Sequence, residues 1–319
     1  MPTRLAPPDS TRRRFLAQLG TAGAASALLA SRLRAAAASG APTKIPDDLL
    51  FTSAKRLAAM IQAKKVSSLE VTQAYIKRIE AVNPQLNAVV FTCFERALAE
   101  AKFADEALAK GKVFGPLHGV PCTIKDSHET AGVRSTGGTL GRKDYIPSRD
   151  ATYVARVRQA GAIMLGKTNT PELTLSGQTT NLIYGKTHNP YKLGYQPGGS
   201  TGGGASIIAA GGSPFDIGTD FGGSIRGPSH FCGIAGLKPT TGRVPRTGHI
   251  VDYGGYFDAF QVVGPMARWV EDIDLITDLI RGPDFIDAAI APVPWLDPKA
   301  IDLKSIKAVY YLNTGSEKP

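Results

Sequence analysis

Three stretches carry residues that could do chemistry together: Gly119-Val120-Pro121-Cys122-Thr123-Ile124-Lys125-Asp126, Gly198-Gly199-Ser200-Thr201-Gly202-Gly203 and Gly218-Thr219-Asp220-Phe221-Gly222-Gly223-Ser224-Ile225-Arg226. A serine among glycines can be approached closely by a substrate carbonyl, because no Cβ crowds the backbone, and successive N–H groups can converge on an oxyanion. Ser224 follows Gly222-Gly223 and precedes a helix expected from Ile225. The N–H groups of Phe221, Gly222, Gly223 and Ser224 would form a nest at that helix N-terminus and serve as the oxyanion hole. Lys125 ends a short apolar run, where burial would depress its pKa towards neutrality and turn the amine into a base. Ser200, between two Gly-Gly pairs, sits where the backbone tolerates unusual geometry, a cis peptide included, should a site need its hydroxyl aimed inward. The set describes hydrolytic acyl transfer. Taken singly, each stretch also reads as plain structure: a Gly-Gly-Ser turn, or a surface lysine whose stem lies along apolar neighbours.

A competing pattern overlaps the second stretch. Gly198-Gly199-Ser200-Thr201-Gly202 matches G-x-S-x-G, with Asp252 and His230 or His249 as conceivable partners, but that elbow must follow a strand directly. The preceding Asn189 to Pro197 holds two prolines, which remove ladder donors, so a central strand there is excluded. Neither G-x-x-x-x-G-K-[ST] nor a G-x-G-x-x-G opening a helix after a strand is present, which removes the phosphate-loop readings.

The elements that must position these residues alternate. Ser67-Ser68-Leu69-Glu70 is a capping-box pattern, and apolar residues at Leu69, Thr72, Ile76, Ile79 and Val82 continue a helix that Asn83-Pro84 should stop. Leu86 to Thr92 is strand-prone, Phe94 to Lys110 is helical and ends at Gly111, and Val120 to Ile124 is a buried strand with Lys125 at its end. Thr152 to Ala160 reads as a helix, Ala162 to Leu165 as a strand and Lys186 to Gly199 as a loop. A small-residue helix over Gly203 to Ala210 leads into a strand over Phe215 to Gly218. Helix, strand and turn in this order imply an α/β layered domain with its motifs at strand ends.

Bulk properties mostly exclude. At 43% apolar and 20% charged the 319 residues suit a globular protein with a substantial core. The net charge of +10 suggests nucleic acid until it is located. Arg4, Arg12, Arg13, Arg14, Arg32, Arg34 and Lys44 against the single Asp9 put +6 into residues 1–44. No basic stretch interleaved with aromatics remains, so nucleic-acid binding is not expected. Cys93, Cys122 and Cys232 are too few and too widely spaced for a disulfide framework or a four-cysteine metal site, and read as small buried residues. The five histidines lack ligand spacing, and no metal or other cofactor is expected.

Residues 1–41 read as an address. Thr11-Arg12-Arg13-Arg14-Phe15-Leu16-Ala17 precedes a modestly apolar run and the small-residue segment Ala35 to Ala41, a removable export signal of the twin-arginine type. The apolar run is too short and glycine-interrupted for a stable membrane span. The expected mature domain is 42–319, working in the periplasm or secreted.

Beyond the three stretches, Gly166-Lys167-Thr168-Asn169-Thr170-Pro171-Glu172, Asn189-Pro190, Gly211 to Gly218, Phe231 to Thr240 and Gly264-Pro265-Met266-Ala267-Arg268 complete an ordered set. From about residue 47 onward this set closely resembles the amidase signature family. The resemblance implies a mixed central β-sheet covered by helices and a triad of Ser224 as nucleophile, Ser200 as cis-peptide relay and Lys125 as base, with Phe221, Gly222, Gly223 and Ser224 as oxyanion hole. It implies a small-molecule amide substrate, and a homodimer is an admissible assembly. Thr201 stands where many members carry a second serine, and Gly204 where a bulkier residue is common. Members also continue well past the strand that Ile306 to Tyr311 would start, so the C-terminal part of the fold is expected to be missing. Three readings follow: an exported amidase cleaving a carboxamide to a carboxylate and ammonia or an amine; an amidotransferase A subunit that hands ammonia to a transfer-RNA-bound substrate in a multisubunit complex; and a truncated, non-catalytic relative.

Overall fold

The computed structural model describes residues 47–250, 258–295, 297 and 300–309. The export signal read over residues 1–41 and Asp252 lie outside the described residues. Helices α1 (Asp47–Leu50), α2 (Ala54–Gln62) and α3 (Ser68–Leu86) open the domain. Ser67 and Glu70 close the expected capping box: the Ser67 hydroxyl accepts from the Glu70 N–H at 3.1 Å and the Glu70 carboxylate accepts from the Ser67 N–H at 2.8 Å. The carboxylate is held below the usual range by the Ser67 N–H and hydroxyl, both of which donate to it. Helix α3 does not stop at Asn83-Pro84. Pro84 lies inside it, and the helix ends only when Asn87 adopts a left-handed conformation. The Asn83 side chain instead receives the N–H groups of Ala88 and Val89, so the residue expected to end the helix ties down the chain after it.

Strand β1 (Val89–Thr92) is followed by α4 (Phe94–Ala109), β2 (Pro121–Lys125), α5 (Thr152–Gln159) and β3 (Ile163–Thr168). A two-residue pair, β4 (Thr180–Asn181) with β5 (Gly185–Lys186), interrupts the long loop. Then come α6 (Gly202–Ala209), β6 (Phe215–Asp220), α7 (Arg226–Cys232), β7 (Ala235–Gly236), β8 (Val262–Ala267) and α8 (Val270–Ile280).

Six strands form one mixed sheet in the order β1-β3-β2-β6-β8-β7. The central β3, β2 and β6 are parallel, with Lys125 opposite Thr168 and Thr123 opposite Asp216, while β1 and β8 flank them antiparallel. Every residue of β2, β3, β6 and β8 is buried, as expected of strands covered on both faces. Pro265 occupies an interior strand, against the usual rule for proline. It is tolerated because the neighbour β7 is two residues long, and Pro265 only needs to accept there, from the Leu237 N–H at 3.1 Å. Cys93, Cys122 and Cys232 are free and buried, as their spacing implied. No helix among the described residues is long and apolar enough to cross a membrane.

Candidate active site

The carboxyl ends of β2 and β6 lie side by side, and the turn into α6 runs between them. Lys125, the last residue of β2, has no solvent exposure. Its Nζ lies 2.7 Å from Ser200 Oγ, 2.8 Å from Thr219 Oγ1 and 3.1 Å from Thr201 Oγ1. Desolvation lowers the Lys125 pKa to about 7, against the opposing pull of Asp216 and Asp220. An amine so placed is neutral in a large fraction of molecules at neutral pH, and three hydroxyls surround it that can both donate and accept.

Ser200 is fully buried, and the Gly199–Ser200 peptide is cis. The Thr201 N–H donates to the Ser224 carbonyl at 3.1 Å, which holds the backbone of the expected nucleophile beside that of the relay. Ser224 is half-buried, and among the described residues its hydroxyl makes no hydrogen bond. Lys125 and Ser200 are thus joined side chain to side chain from two separate stretches, while the third stretch reaches them through its backbone, at the Ser224 carbonyl.

The loop before α7 corrects part of the sequence reading. Helix α7 begins at Arg226, and its N-terminal donors face the Asp220 carboxylate rather than an open nest. Asp220 accepts from the N–H groups of Gly223 at 2.8 Å, Ile225 at 3.0 Å and Arg226 at 3.2 Å. The Arg226 side chain adds an ion pair at 2.9 Å. Burial works against this carboxylate, but the guanidinium and the three N–H groups outweigh it and hold its pKa at about 2. Of the four oxyanion donors expected, Gly223 thus already has an acceptor. The N–H groups of Gly222 and Ser224 have none among the described residues. Gly223 takes φ +120, a conformation open to glycine but strained for other residues, and this turns the loop so that Asp220 can reach beneath it. Phe221 is half-exposed, with its ring edge-on to Phe260 at 6.0 Å.

The competing elbow lacks its framing strand: none leads directly into Ser200. His230 is exposed, and His249 is engaged with Ser127 and Gln261. Sequence reasoning missed Thr219 as a partner of Lys125 and marked Thr201 only as standing where many family members carry a second serine. A threonine at the end of the strand beside the base was the available signal.

A family model described as Amidase matches residues 70–319. Over 263 residues the chain is 41% identical to the A component of the glutamyl-tRNA(Gln) amidotransferase from Carboxydothermus hydrogenoformans, covering 82% of this chain and 53% of that protein. Over 271 residues it is 40% identical to an acylamidase from Rhodococcus erythropolis, covering 84% and 56%. Its fold matches the crystal structure of a peptide amidase from Stenotrophomonas maltophilia with a TM-score of 0.71 and 36% identity, over 77% of this chain and 51% of that one. The chain spans about half the length of the curated relatives it matches. With the family model spanning most of the chain and these relatives sharing its mixed sheet, the chain belongs to the Amidase family of amidase signature enzymes.

Proposed function

We propose that this chain carries the acyl-transfer site of an amidohydrolase that cleaves a carboxamide C–N bond through a seryl acyl-enzyme. The observation that carries the reading is the fully buried Lys125 Nζ, 2.7 Å from Ser200 Oγ, with its pKa lowered by desolvation to about 7. Neutral Lys125 takes the proton of the Ser200 hydroxyl as Ser200 takes that of Ser224, and Ser224 Oγ attacks the amide carbon. The oxyanion faces the N–H groups of Gly222 and Ser224, with Phe221 alongside; Gly223 joins them only by sharing its N–H with Asp220. Collapse of the tetrahedral intermediate expels the amine, which receives the proton through Ser200, because an amide anion is a very poor leaving group. Water then cleaves the ester.

Acid-quenched mixtures with a panel of aliphatic, aromatic and peptide carboxamides test this directly. An acyl mass on the Ser224 peptide, absent in Ser224→Ala, is expected; unchanged amide turnover by Ser224→Ala would sink the reading.

A second reading draws on the likeness to the amidotransferase component: the same acyl-enzyme would release ammonia to a partner-bound acceptor. The export signal read over residues 1–41 favours hydrolysis, with the protein working in the periplasm or secreted. Fusing residues 1–41 to a reporter exported only by the twin-arginine route should carry it out of the cytoplasm. Retention of the reporter would favour the transfer reading.

A further inference from the structure

Beside the Lys125 base lies a carboxylate that the mechanism does not use. Asp216 in β6 is fully buried. One of its oxygens, Oδ2, accepts from the hydroxyls of Thr123 at 2.7 Å and Thr168 at 3.0 Å, while Oδ1 has no hydrogen-bond partner among the described residues. Thr123 stands two residues before Lys125 on the same face of β2, a separation of about 7 Å along a strand, and Thr168 is the register partner of Lys125 on β3. Both hydroxyls that hold Asp216 therefore belong to the frame that places the base. Helix α6, which starts immediately after Ser200 and Thr201, rests on the same carboxylate: a Cβ at Gly204 would stand 2.8 Å from Asp216 Cγ, so only glycine lets the helix sit this close.

A buried charge with an orphaned oxygen is destabilising unless a countercharge compensates it. The charged and titratable groups around Lys125 are Asp216 and Asp220 from β6, Lys167 from β3, and Asp126 and His128 from the turn after β2. Asp220 is occupied by Arg226 and three N–H groups. Asp126 accepts from the Thr136 N–H and hydroxyl and lies near Lys167. His128 is buried, and desolvation together with His249 and the two lysines keeps it neutral. Asp216 remains as the anion that, among the described residues, has no direct ion pair and no N–H donor to its side chain; Lys125 and then Lys167 are the cations that act on it.

We infer that Asp216 is a positioning residue for the base: it supplies the internal negative charge that keeps Lys125 basic enough to take a proton from Ser200, and it seats the helix that follows Ser200. Burial raises its pKa to about 6, which leaves it ionised at neutral pH. Without it, desolvation would act on Lys125 opposed chiefly by Asp220, whose charge Arg226 already offsets. The amine would be neutral over a wider pH range yet weaker as a base.

The inference rests on the Lys125–Ser200–Ser224 reading, and its test separates the two. In protein labelled with 13C at lysine Cε, the Lys125 resonance is assigned by its loss in Lys125→Met and titrated in the wild type and in Asp216→Asn. The expected result is a midpoint about one pH unit lower in Asp216→Asn. The acid limb of Ser224 labelling by a fluorophosphonate should move by the same amount, and the plateau rate should fall several-fold. The double variant Gly204→Ala/Asp216→Ala, which removes the charge while refilling part of its volume, should show the same downward shift if Asp216→Asn fails to fold. An unmoved Lys125 midpoint in a folded variant overturns the inference. A midpoint that moves in a protein whose Ser224 never reacts supports the coupling and overturns the triad instead.

Discussion

Two lysines, Lys125 on β2 and Lys167 on β3, are both fully buried at the ends of adjacent parallel strands, yet their surroundings ask different things of them. Lys125 Nζ meets three hydroxyls and no carboxylate directly. Lys167 Nζ meets the His128 carbonyl and the Thr130 hydroxyl, with Asp126 close by. Desolvation lowers both, Lys125 to about 7 and Lys167 to about 8. Burial alone does not distinguish a base from a strut; the partners do. A hydroxyl can give its proton to a neutral amine, whereas a carbonyl only accepts and so favours the amine as a donor. Lys167 is accordingly a bracket between β3 and the turn at residues 126–130, and Lys125 is the one whose partners suit the proton exchange proposed for it.

The largest effect that could break this comparison is the loss of the base. Lys125→Ala should slow fluorophosphonate labelling of Ser224 about 10³-fold, within the range for general-base removal, while circular dichroism still reports a folded chain. Labelling within a few-fold of wild type would make the two lysines equivalent. Lys167→Met should act on the fold instead. It leaves the His128 carbonyl without its donor and Asp126 without its nearby cation, at a cost of about 2 kcal/mol in denaturant unfolding, with labelling per folded molecule retained. A stable Lys167→Met that cannot be labelled would reverse the assignment.

The pH dependence of stability sharpens it further. Between about 7 and the ordinary lysine value of 10.5, the unfolded chain holds a proton that native Lys125 has released. More protons bound to the unfolded state mean that stability rises with pH across that window, and Lys125→Met should flatten part of the rise. A slope unchanged by the substitution would mean that Lys125 is not depressed. The smallest effect is expected from Thr219→Val, which removes one of three hydroxyls from Lys125 and should slow labelling several-fold with little change in unfolding midpoint.

Much of the candidate site could be proposed from residue types, because Lys125, Ser200 and Ser224 lie in short ordered stretches. Lys125 follows an apolar run whose burial the sequence implies, and Ser200 and Ser224 sit where glycines mark close backbone approach. What could not be read depends on partners far apart in the chain. The Gly223 N–H looked available for an oxyanion because nothing local says that Asp220 folds back to cap three donors. Pro84 looked like a helix end because proline statistics do not include a downstream cap at Asn87 or the Asn83 side chain holding Ala88 and Val89. The interior position of Pro265 contradicts the rule that excluded a strand before Ser200, and only the two-residue length of β7 explains the exception. Asp216 drew no attention in sequence, since its meaning lies in Thr123, Thr168 and Gly204, which only the folded sheet and helix bring around it.

The most direct test of the Lys125–Ser200–Ser224 relay is the pH dependence of fluorophosphonate labelling, with the modified residue mapped by mass spectrometry in the wild type and in Lys125→Ala. Modification at Ser224 is expected, with a rate that climbs through about pH 7 and collapses without Lys125. Modification at another residue, or a Ser224 rate indifferent to both pH and Lys125, would contradict the relay.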